Sequence, residues 1–184
     1  MRVKGSALKA RVTYVQERAD DATFKRFVAQ LAPGTRALVE GGVLATEWYP
    51  FECFMNLCET ADATLGAGDL ESCVEMGRYA CELNLTTLYK LLFRVGSVGF
   101  ILKRARVAWR TTYDSGELRV VDEAPGFVRM QVEDWPEPRR AHCLSVLGWM
   151  LRAVELSGGK VISSDEKCRA RGEAVCEFAI RFEE

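Results

Sequence analysis

Histidine is nearly missing from this 184-residue chain: His142 is the only one. Paired histidine ligation is thereby excluded, and any Ser–His–Asp triad would have to be built on that single imidazole. The sequence has no GxSxG elbow, no GxxxxGK[ST] phosphate loop and no HExxH, so the chain is read as non-catalytic. Long apolar runs are also lacking: stretches such as residues 98–102 are far too short to span a bilayer. Neither sign of charge dominates. With 25 Lys and Arg against 26 Asp and Glu the net charge is −1, which offers no general attraction to nucleic acid or anionic lipid. There is no internal repeat, low-complexity segment or clear linker. Residues 1–18 are studded with charge, so no signal peptide is expected there. Seven cysteines, an odd number, then point to a reducing, cytoplasmic setting rather than a disulfide framework.

What is present is an ordinary globular composition, 48% hydrophobic and 28% charged, in a length suited to one domain over 1–184. Charge is unevenly spread. Residues 1–36 hold eight Lys and Arg against three acids, and 40–82 hold nine acids against Arg78 alone.

The apolar period is helical through the first part, 1–104. Leu8, Val12 and Val15 form one stripe and Phe24, Phe27, Val28 and Leu31 another, the second capped by Asp20 or Asp21 and ended by Pro33-Gly34. Phe51, Phe54, Met55, Cys58 and Leu65 mark a helix after Pro50. Leu70, Cys73, Val74, Gly77 and Cys81 mark another, capped by Asp69. From 105 to 184 the pattern is read as sheet plus one long helix. Val107, Trp109, Thr111 and Tyr113 alternate like a strand, with Asp114-Ser115-Gly116 as a turn and two further strands to Val132. Leu144, Leu147, Leu151 and Val154 restore the helical period. A terminal hairpin then places Cys176, Phe178, Ile180 and Phe182 on one face. The predicted fold is α+β: an antiparallel meander plus terminal hairpin, covered on one face by a layer of helices.

Three thiols converge in this scheme. Cys168 and Cys176 face each other across the hairpin turn, and Cys143 lies near the start of the preceding helix, with Asp165 and Glu166 beside the seam. Thiolates plus a carboxylate make a closed tetrahedral set of the structural kind. The helix start is expected to lower the Cys143 pKa. The plainer reading leaves Cys143 as core filler and the other two as free thiols.

Gly158-Gly159, the run Asp165-Glu166-Lys167-Cys168, Gly172 and Cys176-Glu177-Phe178 together resemble the closing signature of 4-vinyl-reductase-like domains. Those domains share a ligand-binding fold with haem-dependent nitric-oxide sensors and with TRAPP vesicle-tethering subunits. Lys4-Gly5-Ser6-Ala7-Leu8, Trp48-Tyr49-Pro50 and Gly148-Trp149 look like a bacterial family built on that fold. The resemblance implies homodimers, a pocket for a small or lipid-like molecule, and a structural zinc held by Cys143, Cys168, Cys176 and Asp165, with Glu166 as the alternative acid.

Large side chains able to line such a pocket are Tyr79, Tyr89, Phe100, Trp109, Tyr113, Phe127 and Trp149. Trp109 and Phe127 lead, as strand residues. His142 sits among charged neighbours at a helix start with no partner histidine. It is read as a surface or satisfied residue, and no haem is expected. The functional expectation is a sensory or regulatory domain that binds a hydrophobic small molecule between its helical layer and its sheet and signals through dimerisation or a separate output protein. The alternative is an interaction module with a fully packed interior and no ligand.

Overall fold

The computed structural model describes the backbone of residues 1–84 and 98–183 and the side chains of 1–83 and 105–183. A short strand β1 (Arg2–Lys4) leads into helix α1 (Gly5–Arg18), followed by α2 (Asp21–Gln30) and α3 (Pro33–Gly41). Strand β2 (Trp48–Pro50) pairs antiparallel with β1 and runs into α4 (Phe51–Leu65). Then come α5 (Ser72–Asn84), α6 (Val98–Thr112), strands β3 (Glu117–Ala124) and β4 (Phe127–Glu133), helix α7 (Arg140–Leu156), and strands β5 (Lys160–Lys167) and β6 (Cys176–Glu183). The four later strands form one antiparallel sheet in the order β3-β4-β6-β5. The expected α+β class is therefore observed.

Local chemistry sets several boundaries. Asp20 caps α2, its carboxylate accepting from the Thr23 amide at 2.8 Å. Pro33 does not simply stop a helix: it opens α3, where its missing N–H would have had no helical partner anyway. Asp69 accepts only the Glu71 amide, at 3.1 Å. The start of α5 is held instead by the buried Asp62 of α4, which accepts from the amides of Leu70 (2.8 Å) and Ser72 (3.3 Å) and from the Ser72 hydroxyl. Leu70 itself takes a left-handed φ of 71° in this turn.

The strand expected at 107–113 is the largest error of the sequence reading. Those residues finish α6, with Tyr113 just beyond it in an isolated bridge to Val3. Ala105 and Trp109, four apart, are buried while Val107 is 61% exposed, a helical and not an alternating pattern. Asp114-Ser115-Gly116 thus joins a helix to a strand, and the meander has two strands instead of three. The helical part accordingly extends past 104, and the pair β1–β2 was too short to be seen.

Helix α7 is the centre of the molecule. Every residue from Ala141 to Gly148 is buried, so it is enclosed on nearly all sides. Against one side lies α5 at backbone contact. A Cβ added at Gly148 would fall on the Val74 carbonyl oxygen, and one at Gly77 on the Ser145 carbonyl oxygen. Against another side lies the sheet, whose inward face carries Val128, Met130, Val132, Phe178, Ile180 and Phe182. On the outer face Glu177 accepts from Gln131 (2.7 Å) and Lys167 (3.0 Å).

Candidate metal centre and ligand cavity

Cys143 comes from the first turn of α7. Cys168 ends β5 and precedes a short 3-10 turn (Arg169–Arg171), and Cys176 begins β6. All three are buried, and their Sγ atoms lie within 4.8 Å of one another, with Cys143 and Cys168 only 3.1 Å apart. The turn that brings β6 back requires a left-handed residue, which Gly172 supplies at φ 89°. Two backbone amides point at sulfur: Arg169 N–H at Cys176, and Ala170 N–H at Cys168.

This arrangement concentrates negative charge on one sulfur. Hydrogen bonds from the Cys143 and Cys168 thiols, reinforced by the Arg169 amide, bring Cys176 down to about 3. Cys143 moves up instead, chiefly because its thiol proton is held by Cys168 and Cys176. Cys168 is raised as well: its bond with Cys143 acts downward, but its bond with Cys176 and burial outweigh that. The expected lowering of Cys143 by the helix start is therefore reversed, and the thiol that is lowered is Cys176 on the strand. Three sulfurs converging on one point, two of them met by amides, can ligate a thiophilic ion with no change of fold.

The expected acid is misplaced. Asp165 pairs with Ala179 on the solvent face of the sheet and is exposed, outside the thiol group. Glu166 pairs with Phe178 on the face shared with Cys176 and α7. Its side chain is 5% exposed and ion-paired to Arg140, and its Oε1 is buried with no hydrogen-bond partner among the described residues.

His142 is 2% exposed, contrary to the surface reading. Its ring stacks on Trp135 (centroids 4.7 Å apart, planes at 13°) and meets Phe51, Trp109 and Tyr113 edge-on at 5.1–5.7 Å. Burial, assisted by the positive charge of Arg11, lowers its pKa to about 3, so it stays neutral. Its Nε2 has no hydrogen-bond partner among the described residues.

Beyond Trp109 and Tyr113 lies a cavity of about 80 Å³, between α1, α4, α5, α6 and α7. Trp109, Tyr113 and Trp149 line it, together with Arg11, Phe54 and Ser145, within the helical layer and not between helices and sheet as the sequence suggested. Trp109 does so from a helix, not a strand. Phe127 does not: it lies on the outer face of the sheet with the guanidinium groups of Arg129 and Arg181 over its ring at 5.5 and 5.0 Å. Tyr79 packs edge-on to Tyr14 and beneath Arg18, away from the cavity. Tyr89 and the side chain of Phe100 lie outside the described residues.

The sequence reading missed Arg11. It is 2% exposed and donates from Nε to Cys58 Sγ (3.3 Å), from one terminal nitrogen to the Met76 carbonyl (2.8 Å), and from the other to the Ser145 hydroxyl. Its place beside Leu8 and Val15 on the apolar stripe of α1 was the available signal.

No family model and no curated protein matches the chain. Solved structures do. The Fe(II) unliganded H-NOX protein from K. algicida is similar with a TM-score of 0.74 at 13% identity, over 98% of this chain and 97% of that chain. An H-NOX protein from S. oneidensis in the Fe(II)NO ligation state gives 0.75 at 11% identity, over 98% and 99%. A third structure, concerned with haem redox potential under protein-induced porphyrin distortion, gives 0.65 at 11%, over 98% and 95%.

Two expectations are corrected by this. The fold likeness is to H-NOX proteins and not to 4-vinyl-reductase-like or TRAPP-like domains. Setting haem aside is also overturned, because the structures of this fold include Fe(II) proteins. The sole imidazole offers an orphaned nitrogen, but four aromatic rings enclose it and the neighbouring cavity is about 80 Å³. In this arrangement the described residues do not fit a porphyrin at His142 unless those rings move, and no chemistry below is routed through haem. Among the described residues no helix is long and apolar enough to cross a membrane.

Proposed function

We propose that the chain is a sensory or regulatory domain that works by binding a small molecule in its helical layer, with a thiophilic metal ion fastening the closing hairpin to α7. The cavity carries this reading: about 80 Å³ is kept open beside four aromatic rings where five helices meet. The signal passes to a second copy of the chain or to a separate protein. Exposed apolar side chains such as Leu44, Val107 and Ile162 are scattered over different elements, so no docking face is assigned.

At the thiol seam the ion takes Cys143, Cys168 and Cys176; Glu166, outside the thiol group and paired with Arg140, is the acid that would turn in to close the set. Supporting Glu166 over Asp165 are its inward face and its buried Oε1. The H-NOX likeness makes haem an occupant to be tried directly, although the rings packed on His142 leave a porphyrin no room there in this arrangement.

The experiment uses full-length protein purified without added metal or chelator. Organic extraction followed by mass spectrometry should release a small molecule, elemental analysis should give close to one equivalent of metal, and haemin titration read for a Soret band shows whether the fold's likeness extends to haem. Protein that yields no extractable molecule and takes up none from a panel of small apolar compounds would defeat the ligand-sensing reading.

A further inference from the structure

Arg11 is a permanent cation in the interior, since a guanidinium does not deprotonate in proteins. Such a group is normally matched by a carboxylate. Here the three hydrogen-bond acceptors are neutral: a thiol sulfur, a backbone carbonyl and a hydroxyl. These contacts use three of its five N–H groups. Among the described residues no carboxylate oxygen lies within 4.0 Å of it, and residues 84–104 contain neither Asp nor Glu.

The acids on the facing helix α4 are committed elsewhere. Buried Asp62 is saturated by the Leu70 amide and by the amide and hydroxyl of Ser72, and Glu59 is paired with Arg139 at 2.9 Å. A buried anion and a buried cation therefore coexist in the same helical layer without neutralising each other. What distinguishes them is their surroundings, because Asp62 closes a turn while Arg11 stands on the cavity wall. Two side chains that the guanidinium touches, Ser145 and Phe54 (5.0 Å from the ring centroid), are wall residues too.

We infer that this cavity takes a small molecule with a compact anionic head, a carboxylate for choice, bound by Arg11 and Ser145 with a short apolar body against Trp109 and Trp149. The inference deepens the ligand-sensing reading and rests on it. Size limits the body. About 80 Å³ is roughly half of the ~150 Å³ cavity known to accept benzene, so three or four carbons fit where a fused ring system does not. The planar fork of Arg11 suits a carboxylate, which can accept two parallel N–H bonds.

The test uses full-length wild-type protein and two near-isosteric probes, isobutyrate and isobutyramide, titrated by calorimetry and followed at the tryptophan indole N–H resonances. Isobutyrate should bind at least about tenfold tighter than the amide, and Arg11→Met should erase that preference. Should Arg11→Met not fold, the Arg11 Nε–H resonance of the wild type decides, since it should move with isobutyrate and stay still with isobutyramide. Equal binding of both probes, or an isobutyrate preference that survives in folded Arg11→Met, would overturn the anionic assignment and leave a neutral-ligand cavity standing. Binding of neither probe would overturn the anionic assignment too, whereas the ligand-sensing reading falls only if the extraction and the apolar panel are also empty.

Discussion

The thiol seam and the Arg11 cavity are both buried and both carry unbalanced charge, but of opposite sign. At the seam, neighbouring thiols and the Arg169 amide lower the Cys176 thiol pKa, which favours a cation. At the cavity, a guanidinium is held by neutral acceptors, a site made for an anion. The seam also brings three buried sulfurs together, whereas the cavity keeps open volume beside aromatic rings. Sulfurs at fixed separation suit a permanent fastening. Space beside a charge suits an exchanging guest. Under the proposed function, the first would serve the fold's stability and the second its response.

The largest expected effect removes the contrast altogether. Gly148→Val drives a side chain into the Val74 carbonyl and forces α5 off α7, which carries residues of both regions. A loss of about 3 kcal/mol or more is expected, read by chemical denaturation, with metal content and probe binding falling together. Acid should come next. Because burial depresses His142, the unfolded chain binds a proton between about pH 6.5 and 3 that the folded chain does not. Stability is thus complete above the unfolded pKa and falls as pH drops below it, by about 1.4 kcal/mol for each unit. Melts of His142→Phe should show that slope flattened, and an unchanged slope would put the acid sensitivity elsewhere.

Cys168→Ser sharpens the contrast by touching one side only. Elemental analysis should fall from about one equivalent of metal to near none, while isobutyrate binding persists unchanged. Arg11→Met should do the reverse, and a variant that loses both would mean the two regions are one site. A smaller effect separates the acids: Glu166→Gln should weaken metal affinity about tenfold in a competition with a chromophoric chelator, and Asp165→Asn should leave it alone. The opposite ranking would restore Asp165.

Much of this architecture can be read from residue order. The 3.6-residue spacing of Leu144, Leu147, Leu151 and Val154 gives α7, and the alternation of Cys176, Phe178, Ile180 and Phe182 gives β6 and its buried face. Together they bring three distant thiols to one place. Residues 107–113 misled because β-branched and aromatic residues there satisfy a two-residue and a 3.6-residue period at once, and burial chose the second. Asp165 and Glu166 were left open because adjacent strand residues face opposite ways, so a one-residue step in register decides which is inside. Arg11 and His142 were obscured by their neighbours. An arginine on a helix reads as surface until the opposite element is known, and Arg139-Arg140 beside His142 gave its turn a polar look that four enclosing rings contradict.

Cys143 and Ser145 stand two residues apart on α7, about 3 Å along the helix axis, and the latter's hydroxyl meets Arg11 while its carbonyl abuts Gly77. A single turn is therefore answerable to two masters. Any slide or roll of that spindle that re-aims the hydroxyl also displaces the sulfur, so the two neighbourhoods are tied through movement of the helix even where a single side-chain change in one leaves the other alone.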